Sequence, residues 1–378
     1  MLMQIIHMAD LHLGKVMDGV ELLPFQKRIL MQGVLSLLKE KKPNVLVLTG
    51  DIFDSYYPDD VTLAVYARFL TAIHSVVPKI IVVGGNHDNP ILIEYLSGIT
   101  AGSGIFCFGK NNKYLPEVAI EDEFGPVHFY ILPFLQNRFV ANFSHPLRRK
   151  GATEIVEELL LNTSIDFNHR NVLLGHQYVY SFEEAKRKGE ILGPQLDMIE
   201  IQKLSIFDFV CLGHIHEAKR LGNNIGYSGA PYPMHYSDSG EKYVSLITLG
   251  AKGDVQQTFL PISNDVFHIV VYHASISDCS ALPDNDEDYV YVVFDTDVIP
   301  RETEQEMRLK YPRFCRCLGR NAGRIPTVFE RDYVERNIEY FDISWIAQKI
   351  GIQNEDEKSL LIQTLLKKMK GKLNHENH

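Results

Sequence analysis

No stretch of the chain approaches the ~20 consecutive apolar residues that span a bilayer, so no membrane span or membrane partner is expected. The start lacks a basic segment followed by a long apolar core. Met1 leads almost directly into Gln4-Ile5-Ile6, and no secretory signal is expected. Cysteine is scarce: Cys107, Cys211, Cys279, Cys315 and Cys317 are odd in number and lack the paired spacing of a zinc site. A reduced, cytoplasmic chain is the simplest reading of that usage. Net positive charge is missing too. Lys and Arg total 38 against 48 Asp and Glu, a formal charge of −10, which argues against coating nucleic acid by bulk charge. Local basic patches stay possible. There is no internal repeat and no low-complexity tract.

What is present is a chain of 378 residues, 45% hydrophobic, enough for a large core in one or two domains with an appendage. Residues 3–9 read as a short buried strand feeding Asp10. Leu22–Lys41 carries Phe25, Ile29, Leu30, Val34, Leu37 and Leu38 at helical spacing. Val45–Leu48 and Ile80–Val83 are continuous apolar runs, the mark of strands buried on both faces. Between them, Asp59 or Asp60 can cap a helix to about His74. Further strands are expected at Ile105–Phe108, Val127–Leu132, Val172–Leu174 and Phe207–Leu212, with Tyr243–Leu249 as the last of this domain. Strand, site residue, helix, strand predicts an α/β domain with ligands at the carboxyl ends of strands.

The polar clusters sit where those runs end. They are Asp10-Leu11-His12, Gly50-Asp51-Ile52-Phe53-Asp54, Gly84-Gly85-Asn86-His87-Asp88, Gly175-His176 and Gly213-His214-Ile215-His216. Any one alone reads as a turn or a surface accident. Together, in this order and each after glycine or an apolar run, they read as a metal centre. On an extended backbone Asp10 and His12 would point the same way, as would His214 and His216. Asp51 could bridge two ions. Imidazole, carboxylate and amide oxygen, without thiolate, favour Mn²⁺, Fe or Zn²⁺ over Ca²⁺. Two ions ~3.5–4 Å apart would bind phosphate oxygens and supply a nucleophile for in-line displacement. His87 is better placed above the ions, to meet the substrate as imidazolium, with Asp88 orienting it and holding it protonated.

This order of motifs resembles the calcineurin-like metallophosphoesterases. Met8–Gly14, Leu48–Asp54, Leu212–His216 and Tyr227-Ser228-Gly229-Ala230-Pro231 resemble its bacterial DNA-nuclease branch most closely. The resemblance covers residues 1 to about 250 with specific motifs. It implies a four-layer α/β sandwich, two mixed sheets flanked by helices, with a small α/β cap domain and C-terminal helices. It implies two divalent metals, most simply Mn²⁺. One would be held by Asp10, His12, Asp51 and His216, the other by Asp51, Asn86, His176 and His214, with His87 and Asp88 catalytic. It implies a coiled-coil, SMC-like ATPase partner and a homodimer formed through helices near 60–74 and 91–98. One departure is Asp54, where archaeal and eukaryotic relatives carry histidine; another is the loop Asp88-Asn89-Pro90.

The expected division is a nuclease domain over 1–260, a DNA-binding cap over 263–328 and partner-binding helices over 332–378. Within the cap, Arg308, Lys310, Arg313, Arg316, Arg320 and Arg324 fall in seventeen residues without one acidic side chain. Such a patch suits a phosphate backbone. Asp342 can cap a helix ending at Gly351, and Glu357–Met369 has an apolar face suited to a coiled coil. The expected activity is a metal-dependent DNA nuclease, a 3′–5′ double-strand exonuclease and a single-strand or hairpin endonuclease acting in repair and recombination. The competing readings are a phosphodiesterase for a small ester and a non-catalytic DNA tether. A small ester needs neither cap nor terminal helices, and a tether has no need of a full ligand set.

Overall fold

Val45–Thr49, in which all five side chains are buried, lies near the middle of the first of two large sheets. A computed structural model describes residues 2–95, 97–136, 150–181, 198–236, 238, 240–263 and 267–319. The first sheet runs Val255–Pro261, Tyr243–Leu249, Met3–Met8, Val45–Thr49, Lys79–Val83, Ile105–Phe108. The last four strands are parallel, and Tyr243–Leu249 and Val255–Pro261 join antiparallel. Tyr243–Leu249 is therefore not the final strand. Val255–Pro261 alternates buried and exposed residues as an edge strand does, a weaker signal than a continuous apolar run. The second sheet runs Lys219–Leu221, Ile225–Tyr227, Phe209–Gly213, Arg170–His176, Gly125–Leu132, Glu117–Asp122, with a parallel centre and antiparallel edges.

The sheets face each other across one core. Ile5, Val45, Val47, Ile81 and Val83 from the first meet Val127, Phe129, Ile131, Val172, Leu174 and Phe209 from the second. The outer face of the first sheet is covered by the helical stretch 23–41 and by Asp60–His74, burying Ile29, Leu30, Leu38, Phe69 and Ile73. Helices Ala152–Leu161 and Ile201–Leu204 cover the second. Four layers result, because strands apolar on both faces must be covered on both sides.

Local chemistry places the elements. Asp59 caps Asp60–His74 by accepting from the Thr62 N–H at 2.7 Å. The stretch expected as one helix over Leu22–Lys41 is helical from Leu23, with a π-helical segment Ile29–Val34 between α-helical Leu23–Arg28 and Leu35–Lys41. The π turns rotate Ile29, Leu30 and Val34 inward together. Asp18-Gly19, both at positive φ, close a hairpin between Val16–Met17 and Val20–Glu21.

Residues 269–318 add a three-stranded sheet, Ile269–Ala274, Tyr289–Phe294 and Phe314–Leu318, with helix Arg301–Lys310. Cys279, Val290, Val292, Phe294, Met307 and Tyr311 form its core. Residues 1–294 and 299–317 make one compact unit; 295–298 and 318–378 make the second, of which 295–298, 318 and 319 are described. In the first unit, Phe25 lies with ring centroids 5.1 Å from Phe267 and 5.5 Å from Tyr289, and the Tyr291 hydroxyl donates to Asp18 at 2.9 Å. The expected helices at 342–351 and 357–369 lie outside the described residues, as do Arg320 and Arg324. No described helix is long and apolar enough to cross a membrane.

Candidate metal centre

The site gathers at the carboxyl ends of parallel strands from both sheets. The strands ending at Met8, Thr49 and Val83 deliver Asp10, His12, Asp51, Asn86 and His87; those ending at His176 and Gly213 deliver His176, His214 and His216. Asp10, His12 and His216 form one group whose ligand atoms lie within 4.8 Å of one another, and Asp10, Asp51 and His176 form another. Asp51 is central. Its Oδ2 lies 3.4 Å from His12 Nε2, 3.4 Å from His176 Nε2 and 3.9 Å from His87 Nε2. Asn86 Oδ1 is 3.0 Å from both His176 Nε2 and His214 Nδ1. All seven expected metal ligands and His87 are thus brought together.

They do not converge for the reason the spacing suggested. Asp10 (φ 55°), His12 (φ 39°), Asp51 (φ 50°) and His214 (φ 95°) lie at positive φ, four of the six non-glycine residues that do so among the described residues. Asp10 and His12 point together because the chain turns left-handed past the end of the strand, not because it is extended. That region costs L-residues roughly 1–3 kcal/mol each and concentrates where function demands it. Glycine makes room for the turns. A Cβ on Gly50 would sit 2.1 Å from His176 Nδ1, and one on Gly85 would sit 2.2 Å from both the Asp51 amide N and its Oδ1.

A shell of hydrogen bonds fixes the ring orientations. The Thr49 carbonyl accepts from His176 Nδ1 at 2.8 Å, turning Nε2 toward Asp51 and Asn86. Asp54 Oδ1 accepts from His12 Nδ1 at 3.0 Å and from Lys15 Nζ at 3.1 Å. Its backbone carbonyl accepts from His87 Nδ1 at 2.9 Å. Asp54 therefore braces both His12 and His87, the first by its side chain and the second by its backbone carbonyl. Its own spacing, three after Asp51, held the signal.

Asp88 differs from the expectation. Its carboxylate is fully buried and accepts from the backbone N–H of Ile52 (3.1 Å), Phe53 (3.0 Å) and Gly85 (2.8 Å). It ties the Gly50–Asp54 turn to the Gly84–Asp88 turn. Orientation of His87 comes instead from the Asp54 carbonyl and from its own N–H, which donates to Asp51 Oδ1 at 2.8 Å.

Burial and mutual charge set the titrations. Burial raises Asp10 to about 7 and, helped by the Asp51 charge, raises Asp88 to about 6. Burial would raise Asp51 as well, but the imidazoles of His176, His87 and His12 hold it well below the carboxylate range. Burial opposes charge on His176, and the Asp51 carboxylate overcomes it, raising the imidazole to about 9. Burial lowers His12 and His216. Mutual dependence of this kind belongs to functional sites.

Asp10 Oδ2 and His12 Nε2 are buried without a hydrogen-bond partner. Orphaned buried acceptors on mutually facing ligands cost energy that a cation removes. Carboxylate, amide oxygen and imidazole make a borderline donor set suited to divalent first-row metals. The residues fit a dinuclear centre.

Of the basic candidates, Arg308 pairs with Glu304 at 2.7 Å, Lys310 donates to the Ser280 carbonyl at 2.9 Å, Arg313 donates to the Glu287 carbonyl, and Arg316 reaches Asp18 at 3.3 Å. None lies in the metal centre. His7, expected to be structural, is buried with Nε2 bonded to Thr49 Oγ1 at 2.8 Å.

Two facing mixed sheets with convergent ligands at their strand ends define a two-metal phosphoesterase architecture. The family model for calcineurin-like phosphoesterases matches residues 3–218, and the chain belongs to that family. The D subunit of nuclease SbcCD from Staphylococcus epidermidis is 27% identical over 270 residues, spanning 69% of this chain and 70% of that protein. Among solved structures, a dimetal phosphatase from Danio rerio aligns at TM-score 0.39 and 12% identity, over 69% of this chain and 99% of its own. A Thermus thermophilus protein, TT1561, aligns at 0.37 and 14%, over 68% of this chain and 99% of its own.

Proposed function

We propose that the chain is the nuclease subunit of a DNA-processing complex, hydrolysing DNA phosphodiesters with two Mn²⁺ ions and working with an SMC-like coiled-coil ATPase. The observation that carries the reading is the convergence of Asp10, His12, Asn86, His176, His214 and His216 around the Asp51 carboxylate. Similarity to a nuclease component over two thirds of both chains supports DNA as substrate. Both exonuclease and endonuclease action, in repair and recombination, belong to the proposal.

When bound, the metal pair supplies Lewis acidity and an activated water for in-line displacement. Asp10, His12, Asp51 and His216 would hold one ion; Asp51, Asn86, His176 and His214 the other. His87, with 19% of its side chain exposed, is the group that faces the substrate. The Asp54 carbonyl takes its Nδ1–H, which leaves Nε2 facing the metal centre, 3.9 Å from Asp51 Oδ2, to stabilise phosphoryl charge or protonate the leaving oxygen there. Asp88 keeps the two turns in register and touches no substrate.

The cap over 263–328 presents Arg308 and Arg316 for the phosphate backbone. Their exposed ion pairs are worth at most about 1 kcal/mol and yield readily to phosphate. The exposed apolar side chains Val61, Ile91 and Tyr95 support a homodimer through residues near 60–74 and 91–98. Residues 332–378, outside the described residues, are proposed to bind the ATPase. The test is purified protein with Mn²⁺ on linear DNA and on bis-p-nitrophenyl phosphate, with and without the ATPase partner. DNA degradation is expected. Turnover of the small ester with intact DNA, even with the partner present, overturns the reading.

A further inference from the structure

Gln26 is a polar side chain on a helix otherwise built to cover the first sheet, and it is 1% exposed. Its amide makes three bonds to the backbone of one loop, the loop that carries Asp10 and His12. Oε1 accepts from the Gly14 N–H at 3.0 Å; Nε2 donates to the His12 carbonyl at 2.8 Å and to the Leu11 carbonyl at 3.3 Å. The loop's other side is held by main chain: Asp10, His12 and Leu13 N–H donate to the carbonyls of Gly50, Asp51 and Ile52 at 3.0, 2.8 and 3.0 Å. Those bonds set the loop's height above the sheet. They leave the rotation of the His12 peptide to the bonds its carbonyl makes.

That rotation matters because Asp10 and His12 stand at φ 55° and 39°, where L-residues rest only under constraint. Gln26 itself is fixed, since the neighbouring Phe25 is packed on Phe267 and Tyr289. We propose that Gln26 is a positioning residue for the metal ion held by Asp10, His12 and His216: its amide clamps the left-handed loop so that both ligands face one ion. The proposal rests on the metal-site reading above and names the residue outside the ligand set on which one of its two ions depends.

The role separates from plain stability. In Gln26→Leu the Leu11 carbonyl keeps the Tyr232 hydroxyl and the His12 carbonyl keeps the Lys15 N–H at 3.1 Å, so only the Gly14 N–H loses its partner. The variant should fold. Gln26→Glu is a second variant of the same size that keeps an acceptor for Gly14 and loses the donor. The experiment is Mn²⁺ titration of the full-length protein by calorimetry and by the electron paramagnetic resonance of free Mn²⁺. In both variants one of two ions should bind about 10–100-fold more weakly, the range for loss of a ligand's supporting partner, while the other stays within about threefold of wild type. The Mn²⁺ concentration for half-maximal phosphodiesterase activity should rise by the same factor, with kcat restored at saturation. Wild-type protein that binds fewer than two Mn²⁺ overturns the metal-site reading itself. Wild type binding two, with both affinities unchanged in the variants, overturns the role of Gln26. Should Gln26→Leu not fold, Gln26→Glu decides alone by the same criterion.

Discussion

Asp88→Ala separates a structural carboxylate from a catalytic one. The side chain is fully buried, and its two oxygens accept three backbone N–H bonds, from Ile52, Phe53 and Gly85. Alanine leaves three buried donors without a partner. Each costs about 1–3 kcal/mol, an outer range of about 3–9 kcal/mol. Water entering the vacated space lowers this to about 3–5 kcal/mol. With an unfolding entropy of about 2.1 cal/mol/K per residue over 378 residues, each kcal/mol moves the melting temperature by roughly 1.3 °C, so it should fall by at least about 4 °C. Asp88→Asn keeps one acceptor oxygen but aims an N–H₂ at a donor, so it should cost about 1–3 kcal/mol. Burial raises Asp88 to about 6, above its ordinary 3.8, so wild type gains stability as pH falls through that window while the uncharged Asn variant does not, and the Asn penalty should grow as pH drops from about 6 toward 4. The assay is thermal unfolding beside kcat on bis-p-nitrophenyl phosphate, corrected for the folded fraction. A melting temperature unchanged by Asp88→Ala, with kcat down about 100-fold, would refute this reasoning and restore Asp88 as the orienter of His87.

Three further outcomes are expected. Asp51→Asn removes the charge shared by both ions, and metal analysis should find both lost; two retained ions would exclude a bridging Asp51. His87→Ala should abolish cleavage, by about 100-fold or more, with both metals kept, if His87 does the general acid–base work proposed for it outside the ligand set; loss of a metal instead would make His87 a ligand. The third concerns protons. Asp10 is raised to about 7, so its ionisation costs stability that grows as pH climbs from the ordinary 3.8, and a metal that needs the carboxylate must displace a proton below pH 7. His176, raised to about 9, holds a proton at neutral pH that ligation also expels. Metal affinity should therefore fall as pH falls, up to about tenfold per unit for each proton released, and calorimetry in buffers of different ionisation heat should count between one and two protons near pH 7. An affinity flat from about pH 6 to 8 contradicts these assignments.

The sequence by itself determined the reaction class, the fold class and every metal-ligand candidate. Apolar runs such as Val45-Leu46-Val47-Leu48 dictate buried strands because nothing else hides four consecutive branched side chains. One carboxylate or imidazole after such a run reads as a turn; the five clusters in order read as a site. The geometry, by contrast, is a property of the assembled sheets. Alternation in Asp-Leu-His suggested the right convergence for the wrong reason. Left-handed φ at Asp10 and His12 is imposed by bonds to Gly50–Ile52 and to Gln26, partners remote along the chain. Asp88 stood beside His87 in the sequence, yet its hydrogen bonds reach the turn 35 and 36 residues earlier. Asp54, read from sequence only as a departure from its relatives, orients two histidines, one by side chain and one by main chain. Local pattern fixes which residues end strands. Which atoms then face one another depends on how two sheets and their turns close over a common core, and only the tertiary structure carries that information.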